Sequence, residues 1–179
     1  MSPLRRRARR PRGMTLLELC VALAIVALLC LLALPSFSTT LSRLRADMLR
    51  MQLVSVFNSA RSTAITRHEP VAVCPSQDGE RCGGDWSRGW LIFRDRGANA
   101  DVLAPEDVLQ FRTGYDDLLL HAATSQGRQR LRFQRNGSSG GSPLTLVICA
   151  GGLRHGQVVV NNVGRTRSTR QREQAECHR

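Results

Sequence analysis

The N-terminal part of the chain combines a basic leader with an apolar run that a single acid interrupts. Six arginines lie between Arg5 and Arg12, and apolar residues dominate from Met14 to Phe37. The arginines favour retention of this end on the cytoplasmic side of a membrane. The apolar run is about 20 residues long, enough to cross a bilayer as a helix. This start predicts a single-pass membrane protein with its soluble domain on the side opposite the cytoplasm.

The acid in the apolar run is Glu18. A carboxylate costs about 2.5–3.5 kcal/mol at the centre of a membrane and less near its surface, so this side chain needs a partner. If a peptidase cuts after Gly13, the new terminal amine belongs to Met14. The amine of one subunit would then neutralise Glu18 of its neighbour and set the axial register between them.

The stretch Gly13–Leu19 resembles the prepilin processing motif of type IV pilins and of the pseudopilins of type II secretion. This resemblance implies that a prepilin peptidase cleaves after Gly13, that Met14 becomes the methylated N-terminus and that Glu18 guides assembly with other pilins. Pro35 matches the proline that kinks the N-terminal helix of the family. A secretory signal peptide or a plain membrane anchor are the competing interpretations. A signal peptide has a shorter apolar core that rarely holds a glutamate.

All 26 basic residues are arginine, and the formal net charge is +12, of which +6 remains once the leader arginines are removed. Four of the six cysteines, Cys74, Cys82, Cys149 and Cys177, lie beyond the apolar run. In the periplasm they are expected to form disulfides, and three pairings are possible. The short polar loop between Cys74 and Cys82 favours a local bond, which leaves Cys149 for Cys177. A zinc site is the weaker alternative, because the chain has no Cys-x-x-Cys.

One long helix is predicted from about Met14 to about Thr66. Residues 14–36 form its transmembrane half and residues 37–66 its amphipathic half. Apolar residues recur every three or four positions in the second half, as Phe37, Leu41, Leu44, Met48 and Met51, continued by Val54, Phe57, Ala60 and Ala64. We expect this face, including its methionines, to pack against the soluble domain.

Short apolar runs separated by turn residues follow from Pro70 onwards and predict strands. The candidate strands are residues 71–74, 90–94, 108–111, 118–121, 131–135, 144–149 and 157–161. They predict an antiparallel β-rich domain over residues 67–163, followed by an arginine-rich tail at 164–179. The fold class is therefore α+β and type IV pilin-like, with a long N-terminal helix packed on a C-terminal antiparallel β domain. Trp86 and Trp90 are interpreted as core or turn anchors of that domain rather than as a binding platform.

Within the pilins, this soluble part resembles the GspH/FimT group of minor pilins. Three stretches carry the resemblance: residues 74–82 with their paired cysteines, residues 86–95 with the pattern Trp-x-x-Gly-Trp, and residues 158–167. No catalytic constellation, phosphate-binding loop or metal-ligand cluster is found, so we expect a protein that is not an enzyme and has no cofactor. The Gly-Ser run at 137–141 lacks the strand-turn-helix setting of a nucleophile.

The tail carries Arg165, Arg167, Arg170 and Arg172. Residues two apart share a face of a strand, so Arg165 and Arg167 form one pair, and Arg170 and Arg172 repeat the spacing. A row of guanidinium groups can bind successive phosphates. Gly-Arg-x-Arg resembles the DNA-binding motif of FimT-type minor pilins, which implies that Arg165 and Arg167 contact DNA with support from Arg170 and Arg172. A solvated edge strand that blocks sheet aggregation is the alternative.

A second basic run, residues 128–135, alternates polar and apolar side chains and predicts an outer sheet face that widens the positive patch. These features together predict a FimT-like minor type IV pilin. It is expected to bind DNA without sequence specificity, for uptake in natural transformation, near the tip of a pilus at the cell surface. Three alternatives stay open: a structural minor pseudopilin of type II secretion, a minor pilin that only primes assembly, and a membrane subunit associated with an enzyme.

Overall fold

The computed structural model describes residues 13–97, 101–115, 117–123, 129–141, 143–171 and 175–177. One long helix, α1 (Leu16–Arg67), comes first. Eight strands follow among the described residues: β1 (Val71–Pro75), β2 (Gly89–Arg94), β3 (Val108–Thr113), β4 (Leu118–Ala123), β5 (Leu131–Phe133), β6 (Leu144–Ala150), β7 (Leu153–Val160) and β8 (Thr166–Arg170). Single turns of 3-10 helix at Trp86–Arg88 and Pro105–Asp107 lead into β2 and β3. The predicted α+β class is confirmed.

The contacts divide the chain into two units between Thr40 and Leu41. In the first unit, Thr15 caps the start of α1, because its hydroxyl accepts the backbone N–H of Glu18 at 3.3 Å. From Leu16 to Leu31, the large apolar side chains of this part of the helix are exposed: Leu16, Leu17, Leu19, Val21, Leu23, Ile25, Val26, Leu28, Leu29 and Leu31. Across the part of the chain that the structure describes, no helix combines the length and the apolar character needed to span a membrane.

The second unit contains two antiparallel four-stranded sheets, with strand orders β3-β2-β1-β5 and β4-β6-β7-β8. The predicted strand at 131–135 is shorter in the structure, since Gln134 leaves the ladder to form a turn with Ser138 and Gly137. β7 begins at Leu153, four residues before the predicted start at Gln157. β8 is a strand that the apolar pattern does not predict, and it forms the outer edge of its sheet.

One core joins the second part of α1 to both sheets. The helix contributes a stripe of buried residues: Ala46, Leu49, Leu53, Val56, Phe57, Ala60 and Ala64. The expectation that this face packs against the domain is wrong for Leu41, Leu44, Met48 and Met51, because all four are exposed, Met51 by 64%. Phe37, which belongs to the first unit, is exposed as well. Two apolar stripes with three- and four-residue steps run along this helix. The sheets cover the stripe that begins with Ala46, and Leu41, Leu44, Met48 and Met51 remain on another face.

Both tryptophans are buried, which confirms their predicted role in the core. The indole N–H of Trp86 donates to the Gln129 carbonyl at 2.9 Å, and its ring lies edge-on to Phe57 with 6.2 Å between centroids. A smaller apolar cluster around Leu91 and Phe93 lies apart from the main core. Disulfides join Cys74 to Cys82 and Cys149 to Cys177, the pairing that the loop length favours.

Candidate nucleic-acid interface

The turn between β7 and β8 places the first arginines of the tail. Asn161 organises it: its carbonyl accepts the N–H of Gly164 at 2.8 Å, and its side-chain oxygen accepts the N–H of Arg165 at 2.8 Å. Gly164 has φ +77°, and a Cβ at this position would overlap the carbonyl oxygen of Gly137. Only glycine meets both conditions without strain. The backbone at Arg165 is therefore held by Asn161 through its N–H and by the tight packing of the preceding residue, Gly164, against Gly137.

Arg167 lies on the outer face of the sheet. In the β7–β8 register, Val158 is opposite Ser168 and Val159 is opposite Arg167. Directly opposed residues share a face, and Val158 is buried in the core, so Arg167 and Val159 face outwards. Arg167 and Arg165 are both exposed, and among the described residues no carboxylate lies within ion-pair distance of either. The predicted Arg165–Arg167 pair therefore presents two uncompensated charges at a sheet edge.

Arg170 has different surroundings from those of Arg167. It lies opposite Gly156, on the face of β8 that turns towards α1. Its Nη2 is 3.0 Å from Oδ2 of Asp47. The same carboxylate is 3.4 Å from Arg50, whose Nη1 donates to the hydroxyl of Ser168 at 2.8 Å. These contacts attach β8 to the helix and compensate Arg170. Arg172, the fourth predicted DNA-binding residue, lies outside the described residues.

His155 of β7 is close to this group of charges. Burial lowers its pKa from the ordinary value of 6.5, and the positive charges of Arg43 and Arg170 act in the same direction, whereas Asp47 opposes them. The neutral imidazole is therefore favoured at the end of the sheet where β8 meets the helix.

The chain beyond β8 stays attached to β7. The N–H of Gln171 donates to the carbonyl of His155 at 2.8 Å, and that of Arg154 donates to Ala175 at 2.8 Å. The disulfide from Cys149 to Cys177 closes this arrangement at the C-terminus. His121 has a ring nitrogen within 4.8 Å of both sulfurs. Since both sulfurs are bonded to each other, they offer no thiolate, and this group lacks the ligands of a metal site.

The second basic run adds little free charge to this surface. Arg130 is 2.9 Å from Asp101, and Arg132 forms an ion pair with the buried Asp95. Arg135 is exposed, and no carboxylate of the described residues is within ion-pair distance of it. The predicted widening of the patch along residues 128–135 is thus limited to Arg135 within the described chain, and Arg128 lies outside it.

The processing residues lie at the start of α1. Gly13 and Met14 are exposed and precede the helix, and Glu18 is exposed in its first turn. Thr15 and Glu18 have the Thr-x-x-Glu spacing of a capping box, a signal that the sequence analysis did not use. An acid in the first helical turn also interacts favourably with the helix dipole. Glu18 therefore has a local role in starting the helix in addition to the assembly role predicted for it.

Two models of known protein families together match most of the chain. The family model described as Type II transport protein GspH matches residues 50–164, and that of the prokaryotic N-terminal methylation motif matches residues 8–34. The GspH match ends just before Arg165. No curated protein sequence matches the chain.

The solved structures that share the fold include those of a minor pilin and a minor pseudopilin. The type IV minor pilin FimU of Pseudomonas aeruginosa has a TM-score of 0.58 and 18% identity, over 76% of this chain and 97% of that one. The minor pseudopilin EpsH from the type 2 secretion system of Vibrio cholerae has a TM-score of 0.51 and 15% identity, over 72% of this chain and 98% of that one. At these identities the similarity concerns the fold.

Proposed function

The chain belongs to the GspH family of type II transport proteins, and from this premise we propose that it is a minor pilin or pseudopilin, a structural subunit that joins a filament through its N-terminal helix. The exposed apolar residues of α1 support this proposal. Met48, Met51 and Leu44 lie on a face of the helix that its own sheets leave uncovered, and the residues from Leu16 to Leu31 are exposed as well. Apolar surface of this extent is typical of an interaction site.

Assembly would begin at the inner membrane, with residues 14–36 in the bilayer and the β domain in the periplasm. The methylation-motif match over residues 8–34 supports removal of the leader by a prepilin peptidase after Gly13 and methylation of Met14. Glu18 would then pair with the terminal amine of a neighbouring pilin. The mature subunit would leave the membrane within the growing filament and reach the cell surface near its tip.

The finer function proposed is that of a FimT-like minor type IV pilin that binds DNA for uptake in natural transformation. One observation carries it: Arg165 and Arg167 are exposed, uncompensated and held by a tight turn at a sheet edge. Guanidinium groups placed in this way suit phosphates. The described part of the tail contains no aromatic residue for base stacking, so contacts with the phosphate backbone, without sequence preference, are expected.

The number of free arginines sets the expected salt dependence. Arg170 is paired with Asp47, which leaves Arg165 and Arg167 as the main contacts in the described tail. Two phosphate contacts correspond to a slope of about −1.8 in log affinity against log salt concentration, or a loss of about tenfold between 50 and 200 mM. Four free arginines would double that slope.

The test is duplex binding by the chain that begins at Met14, purified in neutral detergent. This chain keeps every helix and strand of the structure and lacks the six leader arginines, which would bind DNA by themselves. We expect R165Q/R167Q to abolish binding at low salt. The matched control is R81Q/R112Q, which removes two exposed arginines elsewhere on the domain. No binding by the unaltered chain, or equal losses in the two variants, would refute the DNA-binding function.

A second candidate function is that of a structural minor pseudopilin of type II secretion, or a minor pilin that only primes assembly. The extent of the family match favours it, because the GspH match ends at residue 164, before the first arginine of the tail. Deletion in the native host separates the candidates. Loss of protein secretion with normal DNA uptake supports the pseudopilin, and loss of piliation that R165Q/R167Q does not reproduce supports the priming pilin.

A further inference from the structure

The turn that carries Arg165 packs against a side chain of α1. A Cβ added to Gly164 would lie 3.3 Å from Nε of Arg61, and one added to Gly137 would lie 3.0 Å from the same nitrogen and 2.6 Å from Cδ1 of Ile65. Because neither glycine has a side chain, the Arg61 side chain can occupy the space beside both of them. The guanidinium of a helix residue is thereby brought to the base of the β7–β8 turn.

Arg61 is not neutralised there. Its Nε is buried and has no hydrogen-bond partner. Among the residues that the structure describes, no carboxylate lies within ion-pair distance of its guanidinium. Arg50, which also approaches β8 from α1, differs in that Asp47 compensates it. A partly buried cation without a counter-charge is costly, so an anionic ligand at this position would be stabilising.

Two further arginines lie close in sequence to the same two glycines. Arg165 directly follows Gly164, and Arg135 precedes Gly137 by two residues. Consecutive Cα atoms are about 3.8 Å apart. The Cα atoms of Arg165 and Arg135 are therefore one and two such steps from the two glycines that contact each other. Both arginines are exposed. Three elements of the fold, a helix and two loops, therefore bring uncompensated arginines to one region of the surface.

We infer that Arg61 is a further phosphate-contacting residue of the DNA-binding surface, acting beside Arg165 on the backbone of the bound duplex. This inference rests on the proposed DNA-binding function. A helix residue that is pre-positioned by packing loses less side-chain entropy on binding than a tail residue does. Arg61 would therefore add one phosphate contact to those of Arg165 and Arg167.

The experiment measures duplex affinity against salt for the chain that begins at Met14, with the variants R61Q and R61K. The matched control is R43Q, which removes another exposed arginine of α1 at the opposite end of the packed segment. Loss of one phosphate contact lowers the magnitude of the salt slope by about 0.9 and weakens binding uniformly across sequences. We expect this change in R61Q, and we expect R61K and R43Q to keep the slope of the unaltered chain.

The salt slopes of these variants separate the role of Arg61 from the proposed DNA-binding function. If R61Q keeps the full slope while R165Q/R167Q loses binding, the role of Arg61 is refuted and the proposed function stands. If the unaltered chain does not bind DNA, both fail. If R61Q also lowers the thermal midpoint, R61K decides, because lysine keeps the charge and most of the stem. The inference would be overturned if the magnitude of the salt slope fell as far in R61K as in R61Q, or if it fell equally in R43Q.

Discussion

The carboxylate of Asp47 on α1 lies 3.0 Å from the guanidinium of Arg170 at the end of β8. This contact separates the arginines of the tail into two kinds. Arg170 is held against the helix, where Arg50 and Ser168 extend the same set of contacts. Arg167 faces away from the helix, and neither Arg165 nor Arg167 has a carboxylate of the described residues within ion-pair distance. The edge strand that contains the proposed DNA contact Arg167 is thus attached to the helix by charges that are paired with one another.

The first prediction concerns this attachment. D47N removes the counter-charge of Arg170 and Arg50, and we expect a loss of about 0.5–1 kcal/mol in the free energy of unfolding, because Arg170 is 60% exposed and screened by solvent. Release of Arg170 should also make the salt slope of DNA binding steeper. Urea unfolding and duplex titration measure the two effects. The control is D117N, which breaks the exposed pair with Arg45. Identical behaviour of the two variants would contradict a special role for Asp47.

The second prediction concerns the turn. G164A introduces a Cβ that overlaps the Gly137 carbonyl at a positive φ, so we expect destabilisation by about 2 kcal/mol or more and weaker DNA binding as Arg165 is displaced. G141A is the matched control, because Gly141 has φ +83° but no atom within 4 Å of the added Cβ. Its cost should be limited to the backbone term, about 1 kcal/mol. Thermal unfolding compares them, and equal costs would show that the contact between the glycines is unimportant.

The third prediction is a pH dependence. The pKa of His155 is lowered in the folded state, so between that value and 6.5 the unfolded chain binds more protons. Stability from this residue is therefore present above the unfolded pKa and is lost as pH falls through the folded pKa. We expect the free energy of unfolding to decrease as pH falls from about 7.5 through the ordinary histidine pKa of 6.5, and H155Q to flatten this decrease. Parallel curves for the two proteins would rule out His155 as the cause.

The fourth prediction concerns the C-terminal disulfide. C149S/C177S opens a loop with a separation of 28 residues, which corresponds to an upper estimate of about 3.6 kcal/mol of lost stability from chain entropy. Hydrogen exchange at Arg154 and Cys177 should accelerate, because their bonds to the terminal segment are released, and DNA binding should weaken. C74S/C82S lies in the other sheet and should leave DNA binding unchanged. Unaltered exchange at Arg154 would show that the terminal segment stays bound without the bond.

The fifth prediction concerns filament assembly. E18A removes the proposed partner of a neighbouring amine, and we expect processed subunits to remain in the membrane and to be absent from sheared filaments. E18Q keeps the size of the side chain but loses the charge, so it should fail in the same way if charge pairing is the cause. N-terminal sequencing should give a methylated Met14 in both. Normal incorporation of E18Q would indicate that Glu18 acts through the helix cap.

Much of this architecture follows from local pattern. The predicted helix from about Met14 to Thr66 and the observed α1 agree within two residues at each end, and most predicted strands are present with shifted ends. The apolar pattern does not predict β8, and an edge strand at the tail is only one of the alternatives that the arginine spacing allows. Its residues, Thr-Arg-Ser-Thr-Arg, contain no apolar side chain, and they form a strand because β7 offers a free edge.

The helix, most strands and the glycine turns follow from the order of residues, because helix, strand and turn preferences depend on neighbours along the chain. Tertiary structure alone decided which stripe of α1 is buried, since two faces of the helix have suitable spacing and only the sheets select between them. It also decided which arginines are free. Asp47 is far from Arg170 in the chain and Arg61 is far from Gly164, and charge compensation depends on distances in space that no local pattern contains.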